Sequence, residues 1–176
     1  MTDRDIEIMA KTIYGEARGE GEEGMEAVAC VIMNRYNARK WFTGYREEYG
    51  VKIPGIAETC LKPRQFSCWN RKDPNFGLLQ KVDGQDPVFA FCLNLAARAV
   101  AGRLEDFTNN ATFYHTRAIR PKWAAHKSPC YEAGNHLFYN DIVIIFTMRM
   151  GGFLKQIIRT DIFNSPHLIE IINDKH

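Results

Sequence analysis

Five cysteines occur in 176 residues, at positions 30, 60, 68, 92 and 130. The number is odd, no pair is spaced CxxC, and Cys30 and Cys92 fall inside apolar helical patterns. A disulfide framework and a zinc site are thereby disfavoured, and reduced thiols made in the cytosol are expected. His115, His126 and His136 with Cys130 fit no metal-ligand spacing, and HExxH is absent. GxSxG, phosphate-loop and GxGxxG motifs are missing as well. No metal and no cofactor are therefore expected. Long hydrophobic runs are also lacking. The longest, "IVIIF" at 142–146, is far short of the roughly 20 residues that span a bilayer, so no stable membrane insertion is expected. The opening "MTDRDIEIMAK" is acidic and has no apolar core, so no signal peptide is read there. Finally, no charge sign dominates. A formal net charge of +2 argues against nucleic-acid binding and against a polybasic membrane contact.

What is present suits one folded domain. Hydrophobic residues make up 45% and aromatics 12%. Acids crowd residues 3–26 and bases outnumber acids from Arg35 to Lys81, which reads as solvated helix faces and loops. Residues 2–18 read as a helix. Thr2 and Asp5 resemble a capping box, and Ile6, Met9, Ala10, Ile13 and Ala17 recur at helical spacing. Gly19 and Gly21 end it. Residues 22–39 form a second, strongly apolar helix. Residues 40–84, broken by glycine and proline, read as irregular. Residues 86–101 form the clearest helix, with Asp86 as N-cap, Pro87 at the first position and Gly102 beyond the end. "ATFYHT" at 111–116 and "HLFYND" at 136–141 read as short strands. Residues 142–176 read as strand then helix, or as helix throughout. The fold class is α+β, mainly helical, with short strands.

The chemistry concentrates in "IYGEARGEGEEGMEAVACVIMNR" at 13–35. Glu16 falls beside Met9, at the edge of the first helix's apolar stripe and near its end. A general acid working near neutrality needs partial desolvation, and such an edge supplies it. Glu20 would lie one helical turn further on. Two carboxylates are the usual equipment for glycoside hydrolysis. Gly19 and Gly21 break a continued helix there, so Glu20 reads rather as a ligand of backbone amides in the joint. Phe66, Trp69, Phe113, Tyr114, Trp123, Phe138 and Tyr139 stand beside Gln65, Ser67, Asn70, His115, Asn135 and His136. Flat apolar rings interleaved with polar groups match a sugar, which has apolar faces and a polar rim. The same rings also suit an ordinary core.

Four blocks in order carry a family resemblance: the 13–35 stretch, "QFSCWN" at 65–70, "ATFYHT" at 111–116 with "RPKWA" at 120–124, and "GNHLFY" at 134–139. They resemble the SleB/CwlJ-type cell-wall hydrolases, which include the spore cortex-lytic enzymes and relatives in proteobacteria and phages. The resemblance implies a single lysozyme- or lytic-transglycosylase-like domain over 1–141, with 142–176 an extension of unknown role. It implies peptidoglycan as substrate, cleaved between N-acetylmuramic acid and N-acetylglucosamine, with Glu16 as catalytic acid/base. It further implies substrate contacts from Glu20, Gln65, Phe66, Ser67, Trp69, Tyr114, His115, His136 and Tyr139. The chain departs from the pattern at Cys68, inserted where relatives tend to read "QFSW". In a strand that insertion would turn Trp69 to the other face.

The expected reaction is that of a lytic transglycosylase. Two other readings are a hydrolytic muramidase using a second carboxylate such as Glu20, and a non-catalytic saccharide-binding or phage-particle protein. An amidase or peptidase would need a metal set or a Cys/His nucleophile, which the spacing does not offer. The expected place of action is the cell wall or periplasmic peptidoglycan. The route there is open between a phage lysin, a particle-borne enzyme and a housekeeping bacterial protein.

Overall fold

The structure is a computed structural model and describes residues 2–140, 142, 145–150 and 153–158. Helix α1 spans Asp3–Ala17. Its start is capped in both directions: Thr2 Oγ1 accepts from the Asp5 amide at 3.3 Å, and the Thr2 amide donates to Asp5 Oδ2 at 3.0 Å. Asp5 is buried and also receives the Ala57 amide on Oδ1 at 3.1 Å. Burial alone would raise its pKa. Hydrogen bonds from Thr2 and Ala57 outweigh this and hold the carboxyl below its ordinary value. The same carboxylate thus caps α1 and anchors α3 (Ile56–Leu61).

Met9, Ala10, Ile13, Tyr14 and Ala17 form the buried face of α1. The face packs against α2 (Gly21–Ala38), α3 and α5 (Pro87–Val100). Helix α2 buries an unbroken run from Ala27 to Ile32, so it lies inside the core rather than on its surface. At α5, Asp86 accepts from the Val88 and Phe89 amides and Pro87 occupies the first turn. Tyr14 donates its hydroxyl to the same Asp86 at 2.8 Å, tying α1 to the start of α5.

The 40–84 stretch is more ordered than its sequence indicates. It holds an antiparallel hairpin, β1 (Tyr45–Glu48) with β2 (Val51–Pro54), then α3, a 3₁₀ turn at Ser67–Trp69 and the short helix α4 (Phe76–Leu79). A second sheet runs in the order β3-β5-β4, all antiparallel: β3 (Phe113–Thr116), β4 (Tyr131–Ala133) and β5 (His136–Tyr139). Over 145–158 the tail is neither helix throughout nor a strand followed directly by helix; only the strand reading of its start is met. Strands β6 (Ile145–Met150) and β7 (Phe153–Ile158) pair there as a hairpin. Residues 159–176 of that expectation lie outside the described residues.

The register of the central sheet decides which residues meet. Tyr114 stands opposite Phe138, and Thr116 opposite His136. Tyr131 stands opposite Phe138, and Ala133 opposite His136. Side chains alternate between faces along a strand. Tyr114, His136 and Phe138 therefore share one face, and Phe113, His115 and Tyr139 share the other.

Candidate active site

Glu16 sits in the last turn of α1, half-buried. Three donors converge on its carboxylate. The Cys68 amide reaches Oε1 at 2.8 Å, the Ser67 hydroxyl reaches Oε1 at 3.4 Å, and the Tyr114 hydroxyl reaches Oε2 at 2.7 Å. The first two belong to the 3₁₀ turn and the third to β3, so both oxygens are held from different parts of the fold.

The close approach of the 3₁₀ turn depends on Gly15. A Cβ there would lie 2.6 Å from Cys68 Cβ, closer than side chains tolerate. One turn earlier on the same helix, buried Thr12 accepts the Trp69 indole N–H at 3.0 Å. Trp69 is thus in a 3₁₀ turn and not in a strand. The extra Cys68 does not flip it away, because the turn lies along α1 and keeps Trp69 beside the Glu16 face. Cys68 itself is fully buried, and burial with the neighbouring Glu16 raises its thiol pKa strongly, so it is not a nucleophile.

Behind the carboxylate lies Arg35, a buried cation on α2. Its guanidinium donates to the Thr112 carbonyl at 2.7 Å and the Gln65 carbonyl at 3.1 Å, and lies 4.8 Å over the Phe66 ring. Burial lowers its pKa, while Tyr114 and Glu16 favour its charge. Tyr114 is pushed well above the usual phenol value, by burial first and Glu16 second, so it stays a hydroxyl donor.

His136 closes the cluster. It is 3% exposed, and its ring stands edge-on to Tyr114 at 5.1 Å. Burial lowers its pKa against the opposing pull of Glu20 and Glu16, with His115 adding to the lowering. Its Nδ1 is buried and has no hydrogen-bond partner among the described residues.

Not all the expected contacts gather here. Phe66 is 2% exposed and serves as a floor for Arg35, so it offers a ligand no surface. Gln65 is half-buried and engages Arg35 through its backbone carbonyl. His115 and Tyr139 belong to the opposite face of the sheet. They are buried, stacked at 5.3 Å and hydrogen-bonded at 3.0 Å, and they do not reach Glu16. Glu20 accepts the Asn135 amide at 2.5 Å, in the turn between β4 and β5. Room for it comes from Gly24 and Gly134, where a Cβ would lie 2.4 Å from its side chain. It ties the α1–α2 joint to the hairpin that carries His136. The amide role anticipated for Glu20 holds, but the amide is in the hairpin and not in the joint.

Arg35, Thr12 and Gly134 carry no sequence pattern that marks them as part of the site. Only Gly15 leaves a readable signal, a glycine inside an apolar helix directly before a carboxylate.

The sequence profile of the Cell Wall Hydrolase family matches residues 19–139. This chain belongs to that family. The match begins three residues beyond Glu16, so the case for that residue rests on the geometry above. Similar proteins include the spore cortex-lytic enzyme of Halalkalibacterium halodurans, 36% identical over 86 residues, covering 49% of this chain and 25% of that protein. The spore cortex-lytic enzyme of Bacillus subtilis is 33% identical over 86 residues, covering 49% of this chain and 27% of that protein. The chain thus spans about a quarter of the length of these curated relatives. Among solved structures, the catalytic domain of the germination-specific lytic transglycosylase SleB from Bacillus anthracis superposes with a TM-score of 0.56 at 24% identity, over 78% of this chain and 95% of that one. The catalytic domain of Bacillus cereus SleB superposes with a TM-score of 0.56 at 25% identity, over 78% and 90%. The family member described here shares their fold, a single mostly helical domain with short strands.

Proposed function

We propose that this chain cleaves the glycan strand of peptidoglycan between N-acetylmuramic acid and N-acetylglucosamine, as a lytic transglycosylase with Glu16 as its only acid/base. The observation that carries this reading is the carboxylate of Glu16, half-buried and held at both oxygens by Cys68, Ser67 and Tyr114. The family and the likeness to a lytic transglycosylase domain supply the substrate class.

Glu16 enters protonated and gives its proton to the glycosidic oxygen as the bond from that oxygen to C1 of muramic acid breaks. Negative charge then grows on the carboxylate. The Cys68 amide and the Tyr114 hydroxyl are already aimed at it and strengthen as the charge develops. The oxocarbenium-like C1 is stabilised by the sugar's own acetamido oxygen, a substrate-assisted route outside the two-carboxylate scheme. Glu16, now ionised, takes the proton of the muramic C6 hydroxyl while that oxygen bonds to C1. The product is a 1,6-anhydro sugar, and Glu16 is protonated again. Glu20 is engaged by the Asn135 amide, which suits a structural part better than activation of a water.

The test is mass spectrometry of purified peptidoglycan digested by the wild type and by Glu16→Gln. Anhydro-muramic ends from the wild type and none from the folded variant are expected. Reducing muramic ends would point to hydrolysis, and turnover by the variant would remove Glu16 from the chemistry.

A further inference from the structure

A cavity of about 420 Å³ lies away from Glu16, between the last turns of α2, the segment that follows it, and the Asn110–Phe113 approach to β3. That volume is within the roughly 300–1,000 Å³ range of small-molecule sites. Phe113 lines it, while the next residue, Tyr114, holds Glu16. Consecutive strand residues face opposite ways, and none of Ser67, Cys68 and Tyr114, the holders of Glu16, lines the cavity.

Its wall is an aromatic platform. Trp41 is 37% exposed, and its ring lies 5.3 Å from Phe42 and 6.2 Å from Phe113. Phe113 is braced in turn by Trp123 at 5.4 Å. Around this platform stand amides. Among the described residues, the side-chain amides of Asn37 and Asn110 make no hydrogen bond, although both line the cavity. Asn140 donates to the Asn109 carbonyl at 2.9 Å, at the same rim. Among the described residues of the lining, Lys40 is the one that carries a charge.

We infer that this cavity is a second saccharide site, which takes an N-acetylated hexosamine unit of a glycan strand at a distance from the bond being cut. A sugar ring lays its apolar face on an aromatic plane, and its hydroxyl and acetamido groups match uncommitted amides. Among the described lining residues the one charge is that of Lys40, which suits a single carboxylate such as one on a stem peptide. The choice of glycan rests on the proposed function. The site would hold the enzyme to an insoluble wall while Glu16 works on another segment, which raises effective concentration without adding to the chemistry.

The test uses the full ¹⁵N-labelled chain carrying Glu16→Gln, titrated with tri-N-acetylchitotriose, alongside wild-type digestion of sacculi. Saturable shifts of the Trp41 indole and of the Asn37 and Asn110 side-chain amides are expected. Trp41→Ala should weaken them roughly tenfold, and should lower wild-type release from insoluble sacculi while leaving cleavage of a short soluble muro-oligosaccharide unchanged. Asn37→Ala, at an exposed helix position, repeats the binding test without touching the aromatic cluster. Cleavage of sacculi with no shift at these residues would overturn the second site and leave the proposed function standing. Saturable shifts here with no cleavage by the wild type would support the site and sink the reading of Glu16.

Discussion

The Tyr114 hydroxyl donates to Glu16 Oε2 at 2.7 Å, across 98 positions of sequence. The phenol is held protonated by burial and by the carboxylate itself, so it can only give its hydrogen. In the proposed reaction it is a positioning residue that orients the acid toward the glycosidic oxygen. Tyr114→Phe keeps the ring against Phe138 and removes the donor. The expected result is a fall in kcat on the order of 10–100-fold, with KM little changed. An unchanged kcat would show that the hydroxyl does not orient Glu16.

Gly15 makes the second holder possible. Gly15→Ala sets a methyl 2.6 Å from Cys68 Cβ and forces the 67–69 turn off α1. The expected cost is about 1–3 kcal/mol of stability, with loss of activity in the molecules that remain folded. Cys68→Gly added to Gly15→Ala removes the opposing Cβ and should recover activity per folded molecule. Failure of this rescue, measured by denaturant titration and glycan release together, would separate Gly15 from the placement of Glu16.

Glu20 discriminates the two reactions. Glu20→Gln keeps an oxygen for the Asn135 amide and is expected to retain activity within a few-fold. Glu20→Ala empties that bond and should cost about 1 kcal/mol. A Glu20→Gln variant that is folded but inactive, in an enzyme yielding reducing ends, would make Glu20 the second carboxylate of a muramidase.

His136 gives a pH signature. Its folded pKa lies below the ordinary 6.5 because burial penalises the cation. Below about pH 6.5 the unfolded chain binds the proton first, so stability is complete above that pH and falls as pH drops. The slope is at most about 1.4 kcal/mol per pH unit. Carboxylates such as Asp5 and Asp86, held below their usual range, lose their contribution only at lower pH. Urea unfolding between pH 7 and 5 should therefore slope for the wild type and flatten in His136→Gln. Equal slopes would mean that the imidazole is not held neutral by the fold.

The helices and the two outer strands of the central sheet differ in how plainly the chain announces them. Helices α1 and α5 carry their own end signals, the Thr2–Asp5 box and the Asp86–Pro87 pair, and both form where those signals stand. Strands β3 and β5 show as short aromatic runs. Strand β4 has three residues, too few for any alternation to register. Helix α3 has Gly55 at its N-cap and draws its anchor from Asp5, 52 positions away, so nothing local marks it. The site divides in the same way. Glu16 stands out because its helix places it at a stripe edge. The parting of Tyr114 from His115 follows from strand alternation alone. The partners of Arg35 and Glu20 are backbone groups brought up by tertiary folding, which side-chain patterns do not encode.

The way the Glu16 carboxylate is held has a consequence for the order in which the site assembles. Residue 16 is synthesised before its holders at 67, 68 and 114. A fragment that ends just before β3 keeps Ser67 and Cys68 but lacks the Tyr114 hydroxyl. The fully held carboxylate is therefore a property that only a chain reaching β3 can have.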